Sequence, residues 1–252
     1  MDLGLRGKKA LVTGATRGLG RAIAETFAAE GVDLAICART SEAVEEAASS
    51  LKAKGVNVFS KAVDVADGGA LQGFIQESAE ALGGLDILIS NPSGGNGVDE
   101  AAWRANFEVD VLGAVRSVEA ALPALKSSDA ASVVFIGTTA AVETFMGATS
   151  YNAMKAALVT HSNGLSQSLG GDGIRVNTIS PGPIFVEGGA WDRIKQGRPP
   201  MFEEAQKGHP GGAMGEAQDV ANATVFIASP AAKHITGVNL IVDGGFTKRV
   251  NF

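Results

Sequence analysis

The chain has 252 residues, 45% of them hydrophobic and 19% charged, with a formal net charge of −6. That length fits one large α/β domain or two small ones, and the apolar fraction excludes a disordered chain. The acidic balance, with no basic run, argues against nucleic acid as the main partner.

Other classes fall away on residue counts. The single cysteine, Cys37, allows no internal disulfide and no cysteine-type zinc site. His161, His209 and His234 show no metal-ligand spacing, so no metal is expected. No apolar run approaches the roughly 20 residues of a membrane span. The opening MDLGLRGKK lacks the apolar stretch of a signal peptide, so a reducing cytoplasm is the expected location.

The first element pair is Lys8 to Glu30, KKALVTGATRGLGRAIAETFAAE. An apolar run breaks at Thr13-Gly14, and glycines follow at 14, 18 and 20. From Leu19 the spacing of Leu19, Ile23, Ala24 and Phe27 makes one apolar helix face. Strand, glycine turn and helix together lay an anion on a helix N-terminus, where free backbone N–H groups and the dipole converge. Taken alone, the same pattern also describes a plain tight connection.

Strands are expected at 8–13, 32–38, 56–61, 85–90, 131–137, 174–180 and 238–242. Most are rich in Val, Ile and Leu without polar alternation, as in strands buried on both faces of a parallel sheet. Helices are expected between them, at 18–30, 41–54, 68–82, 99–125, 149–169 and 216–228. The β-α alternation predicts a Rossmann-type, doubly wound parallel sheet of about seven strands with helices on both faces. No composition shift divides the chain, so residues 1–252 are expected to form one dinucleotide-binding and catalytic domain. Residues 183–215 break the rhythm, with no strand pattern, the segments GRPP and GHPGG, and a short helix over 190–207. So long an interruption in a compact domain points to a substrate lid.

Tyr151 and Lys155 stand at i, i+4 in a helical stretch, on one face and a turn apart. A neighbouring ammonium favours a phenolate, which prepares the phenol to give up a proton. Tyr151 is the only tyrosine. Thr138 stands thirteen positions earlier, at the end of ASVVFIG, where its hydroxyl could orient a substrate oxygen or simply cap the strand end.

These residues resemble the short-chain dehydrogenase/reductase family, in particular its 3-oxoacyl-acyl-carrier-protein reductase-like members. The match runs through TGxxxGxG as Thr13-Gly14-Ala15-Thr16-Arg17-Gly18-Leu19-Gly20 and the YxxxK pair as Tyr151 and Lys155. It continues through Asp64-Val65, Asn177-Thr178-Ile179-Ser180-Pro181-Gly182 and the closing IVDGG at 241–245. The resemblance implies hydride transfer between a nicotinamide and a carbonyl or secondary alcohol, with Tyr151 as general acid/base. It implies that Lys155 assists the phenol and holds the nicotinamide ribose, and that Thr138 replaces the family's usual serine. Cofactor contacts are implied for Gly14, Thr16, Arg17, Gly18, Leu19 and Gly20, for Arg39, for Asp64 and Val65, and for Asn91. Tyr151, Lys155, Pro181, Gly182 and Ile184 complete the set.

Two positions depart from the family pattern. Asp110, in Glu108-Val109-Asp110-Val111-Leu112-Gly113, stands where the family places an asparagine that anchors a water in the proton relay. Asp110 is expected to keep a catalytic role while adding a negative charge near Lys155. The family's NNAG is here Ser90-Asn91-Pro92-Ser93-Gly94.

Strand two ends in Ala38 and Arg39 rather than in an Asp or Glu. A carboxylate there would bind both ribose hydroxyls of NAD and repel a 2′-phosphate. With Arg17 in the glycine turn, two guanidiniums suit that phosphate, so NADP(H) is expected.

Phe145, Met146, Phe185, Trp191 and Phe202, in the segment after Thr138 and in the lid, suggest a largely apolar small-molecule carbonyl or alcohol. Apolar positions on more than one face of the helices at 99–125 and 149–169 suggest burial against other subunits, and similar proteins are commonly homotetramers. Two alternatives stay open. One is a cofactor-binding redox sensor or scaffold with little catalysis; the other is an epimerase or dehydratase of the same family.

Overall fold

Runs of Val, Ile and Leu become strands where each residue can bury its side chain on one face of the sheet or the other. The computed structural model describes residues 1–144 and 147–250. In chain order the first half is β1 (Lys9–Thr13), α1 (Gly18–Ala29), β2 (Asp33–Ala38), α2 (Ser41–Lys52), β3 (Val58–Ala62), α3 (Gly68–Leu82), β4 (Ile87–Ser90) and α4 (Glu100–Asn106). A π-helical turn, Phe107–Leu112, leads into α5 (Gly113–Leu125), β5 (Ser132–Ile136) and α6 (Ser150–Leu169). Then come β6 (Arg175–Pro181), β7 (Ile184–Phe185), α7 (Ala190–Gly197), α8 (Pro199–Gly208), β8 (Gly215–Glu216), α9 (Ala217–Ala228) and β9 (Asn239–Val242).

Seven strands form one sheet in the order β3-β2-β1-β4-β5-β6-β9, with every neighbouring pair parallel. The chain winds outward from β1 to β3, then restarts at β4 on the other side of β1. That reversal is the switch point at which α/β sheets open a crevice beyond their strand ends. Val12 is level with Ile36 on one side and Ile89 on the other. Successive side chains face opposite ways, so Val12, Ile36 and Ile89 pack with Phe27 and Val225 on one face. Leu11, Leu88 and Val133 pack with Phe74 and Val118 on the other.

The seven strands of the sheet fall where the sequence predicts them. The helix expected over 99–125 is interrupted by the π turn, which holds one extra residue per turn and alters the facing of Asp110. Segment 183–215, expected as a lid, differs more. The helix expected over 190–207 is two helices, α7 and α8, broken at Arg198. Pro199 disfavours helical backbone in the residue before it, and Arg198 sits at φ −144°, ψ 61°. The lid also contains strand: β7 and β8 pair in parallel through Ile184–Gly215 and Phe185–Glu216. At two residues each, they are too short for a periodic signal.

Candidate active site

The glycine turn is built by close approach. Gly14 and Gly18 hold φ of 67° and 57°, a region that favours glycine. A Cβ on Gly20 would lie 2.2 Å from the Gly14 carbonyl oxygen and 2.7 Å from Asn91 Nδ2, so only glycine fits there. Neighbouring strands hold the turn down. Gly14 N donates to Cys37 O at 2.8 Å, and Asn91 Nδ2 donates to Thr13 O and Gly14 O at 3.1 and 3.2 Å. Asn91, expected as a cofactor contact, therefore buttresses the cradle with its amide. The Cys37 thiol is pushed up to about 12 by burial, against a smaller opposing pull from the Gly14 N–H, and stays protonated.

Arg17 and Arg39 are exposed, and neither guanidinium has a partner among the described residues. Asp64 is exposed and Val65 buried at the end of β3. Asp64 Oδ1 accepts from Ala66 N at 3.0 Å. Pro181 ends β6, and Gly182 N donates to Val242 O at 3.0 Å, which locks this edge to β9. Ile184, expected at the cofactor, is buried in the β7–β8 pairing.

Beyond β9, burial alone would raise the Asp243 carboxyl. Hydrogen bonds from the Thr247 hydroxyl and N–H and from Gly245 N–H, with His209 close by, nevertheless hold it below the usual carboxylate range. A group lowered in the folded state stabilises above its unfolded value and loses that contribution as pH falls through its folded value. Asp243→Asn is therefore expected to lower the melting temperature at pH 7, with the difference from wild type shrinking on acidification. Melting curves over a pH series check this.

Tyr151 and Lys155 lie on α6, whose N-terminus is capped by Thr149 Oγ1 accepting from Asn152 N. Tyr151 is half-buried, and its hydroxyl has no hydrogen-bond partner among the described residues. Lys155 Nζ lies 5.9 Å from the Tyr151 ring centroid. The ammonium is deeply buried and faces three protein acceptors. It donates to Ile136 O at 2.8 Å and to Pro92 O at 3.3 Å, and stands 2.9 Å from Asp110 Oδ1. The last contact is an ion pair whose angle falls short of a hydrogen bond. Asp110 Oδ2 accepts from Gly94 N at 2.9 Å and Asn106 Nδ2 at 2.8 Å. Thr138, also buried, accepts from Ala140 N at 3.2 Å and so caps the short 3₁₀ turn Thr139–Ala141. Its own proton remains available to donate.

The sequence reading passes over Asn106, although it precedes Asp110 by four residues. Ser150 was missed as well: its hydroxyl donates to Asn106 Oδ1 at 2.8 Å and to Gly97 O at 3.0 Å. Nothing in the sequence signals that loop 94–97 and α6 meet.

A cleft of about 380 Å³ opens between the lid and this loop, lined by Asn96, Ala190, Arg193, Ile194, Arg198 and Met201 among others. Phe185 and Phe202, expected to line the pocket, pack edge to face at 6.0 Å instead, with Lys195 Nζ 5.3 and 5.6 Å from their centroids. Trp191 is half-buried and is not among the residues lining the cleft. Phe145 and Met146 lie outside the described residues.

A parallel sheet with a glycine cradle at its switch point, and a tyrosine one turn from a buried lysine, define a dinucleotide-type oxidoreductase scaffold. Residues 14–247 match the family model described as enoyl-(acyl carrier protein) reductase, and the chain belongs to the short-chain dehydrogenase/reductase family of oxidoreductases. It is 38% identical to isoepoxydon dehydrogenase of Penicillium expansum over 250 residues, covering 97% of this chain and 96% of that protein. It is 33% identical to 2,5-dichloro-2,5-cyclohexadiene-1,4-diol dehydrogenase of Sphingobium indicum over 249 residues, covering 96% and 97%. The L-sorbose reductase of Gluconobacter frateurii, solved with NADPH and L-sorbose, superposes with a TM-score of 0.91 at 32% identity, covering 99% of this chain and all of that one.

Among the described residues no group of His, Cys, Asp and Glu could hold a metal ion, and no helix is long and apolar enough to cross a membrane.

Proposed function

We propose that this chain is an NADP(H)-dependent oxidoreductase that interconverts a small carbonyl compound and its secondary alcohol. The observation that carries the reading is the Tyr151 hydroxyl, unpartnered among the described residues, one helical turn from a Lys155 ammonium held by Ile136 O, Pro92 O and Asp110. The residues present fit a dinucleotide: a Cβ would fill the cradle at Gly20, and the edge at Arg17 and Arg39 offers two guanidiniums unpartnered among the described residues and no carboxylate at Ala38.

The nicotinamide, when bound, supplies or takes the hydride. The chain does the rest. Tyr151 delivers a proton to the substrate oxygen in reduction and receives one in oxidation. The Lys155 charge makes that exchange easier by favouring the phenolate. Thr138 donates its remaining hydrogen bond to the same substrate oxygen and so orients it. Gly14, Thr16, Gly18, Leu19 and Gly20 would seat the pyrophosphate on the α1 N-terminus, with Asp64, Val65, Asn91, Pro181, Gly182 and Ile184 lining the rest.

Arg17 and Arg39 support NADP(H) over NAD(H). Arg39→Ala is expected to lower kcat/KM for NADPH about tenfold and leave NADH nearly unchanged, because one charge-assisted phosphate contact is worth about 1.5–3 kcal/mol at most. Steady-state kinetics with both cofactors check this, and a better wild-type rate with NADH would sink the NADP assignment.

The substrate we propose is an alicyclic alcohol or ketone with a mainly apolar body, in keeping with the ring diol named for one relative. Ile194 and Met201 give the cleft its apolar wall, while Arg193 is engaged by Gly188 O at 2.8 Å. We also propose one domain over 1–252, a cytoplasmic location and a homotetramer, the last supported by the exposed Val98, Trp103 and Phe107 around α4. NADPH oxidation with a panel of cyclic ketones, wild type against Tyr151→Phe, tests the central reading. Equal inertness of both would leave a cofactor-binding protein instead.

A further inference from the structure

We propose that Asn106 is a positioning residue for Tyr151, acting through Asp110. The observation is a continuous buried chain of contacts across three segments. Asn106 Nδ2 donates to Asp110 Oδ2 at 2.8 Å and to Gly95 O at 3.0 Å. Its Oδ1 accepts from Ser150 Oγ at 2.8 Å. Asp110 Oδ1 stands 2.9 Å from Lys155 Nζ. Both polar ends of the amide are thus fixed, one on the carboxylate that faces the lysine and the other on the residue before Tyr151.

The local backbone makes this possible. Asn106 closes α4, and Asp110 lies inside the π turn that follows. A π turn in a helix often marks a functional site because it re-aims the side chains that follow. Here it brings the carboxylate under Gly94 N and against Lys155. A Cβ on Gly94 would lie 2.6 Å from Ala105 O, so glycine is what lets the loop come this close.

The consequence is electrostatic. An anion beside Lys155 balances part of the charge that would otherwise favour the Tyr151 phenolate. Asn106 holds that anion in place by satisfying Oδ2, which leaves Oδ1 directed at the lysine. Of the other charges on these elements, Glu108 pairs with Arg116 at 3.0 Å and Glu100 with Arg104 at 2.6 Å, while Glu143, beyond the 3₁₀ turn after Thr138, keeps a buried Oε2 with no hydrogen-bond partner among the described residues. Asn106 thus sets how far Lys155 can act on the phenol without touching either residue. The inference rests on Tyr151 being the acid/base of the proposed reaction, yet it has a readout independent of turnover.

That readout exists because Tyr151 is the only tyrosine. The near-ultraviolet absorbance of phenolate in the folded protein reports this one group. Wild type, Asp110→Asn, Asn106→Ala and the double variant are titrated through the alkaline range, with circular dichroism reporting the fold at each point. In Asp110→Asn the phenolate is expected about one pH unit lower than in wild type, a tenfold change in proton affinity, because the balancing anion is gone. Asn106→Ala is expected to move it the same way by a smaller amount. The double variant goes no further than Asp110→Asn alone, since a residue acting through another is non-additive with it. An unmoved phenol in Asn106→Ala, or a double variant equal to the sum of the singles, overturns the inference. If Asn106→Ala fails to fold, Ser150→Ala decides, because it frees Asn106 Oδ1 while the Ser150 N–H still holds Gly97 O: a shift in the same direction supports the inference and no shift overturns it. Inactivity of the wild type on all carbonyls, with the titration pattern intact, sinks the proposed reaction and leaves this inference standing.

Discussion

Tyr151→Phe is expected to lower kcat for carbonyl reduction by about 10²–10⁴-fold, the usual contribution of a positioned acid or base. NADPH binding, followed by the cofactor's fluorescence, is expected to survive. The two readouts separate because the substitution removes only the hydroxyl. The phenyl ring keeps its place over Lys155, whose ammonium is held by Ile136 O, Pro92 O and Asp110 and not by the phenol. No protein group loses a hydrogen bond, since the Tyr151 hydroxyl has none among the described residues. Melting temperature is therefore expected to stay close to wild type. That combination, chemistry lost with fold and cofactor site kept, distinguishes a proton donor from a structural tyrosine. Retention of more than about a tenth of kcat would place the proton donor elsewhere.

The sheet was legible because aliphatic runs of four to seven residues have few alternatives between glycine turns. Val12, Ile36 and Ile89 each sit mid-run, and they meet as the register requires. The glycine turn was legible for the same kind of reason: only glycine can stand at 20 beneath the Gly14 carbonyl. Two other features were hidden. The break at Arg198 follows from Pro199, but the β7–β8 pairing joins residues 31 positions apart, Ile184 with Gly215 and Phe185 with Glu216, through two-residue strands with no pattern of their own. The polar cluster under Lys155 joins loop 94–97, the end of α4 and the start of α6. Asp110 drew notice as a departure from a motif, whereas its direct contact with Lys155 depends on a π turn that periodicity cannot show. The mutual packing of the aromatic residues in segment 183–215 was also not legible in the sequence. Phe185 and Phe202 pack edge to face on each other, with the Lys195 ammonium over both rings.

Lys155→Met is expected to cost the fold more than any other single change in the site. The Lys155 and Asp110 side chains are 3% and 0% exposed, and their charged atoms stand 2.9 Å apart. Water cannot replace the ammonium, so the carboxylate would remain buried with Asn106 Nδ2 and Gly94 N on Oδ2 and nothing on Oδ1. Removing one partner of a buried ion pair costs about 3–5 kcal/mol. In a chain of this length that corresponds to a fall in melting temperature of roughly 6–20 °C. The loss should come mainly from the stranded charge and less from the Ile136 and Pro92 carbonyls. Adding Asp110→Asn to Lys155→Met is therefore expected to recover most of the melting temperature. It should recover none of the activity, because the ammonium proposed to assist Tyr151 is still absent. Calorimetry and NADPH-linked assays on the three variants separate the two roles. A melting temperature for Lys155→Met close to wild type would mean that the pair is solvated in solution. A double variant no more stable than Lys155→Met would move the cost from the stranded carboxylate to the carbonyls that Lys155 binds.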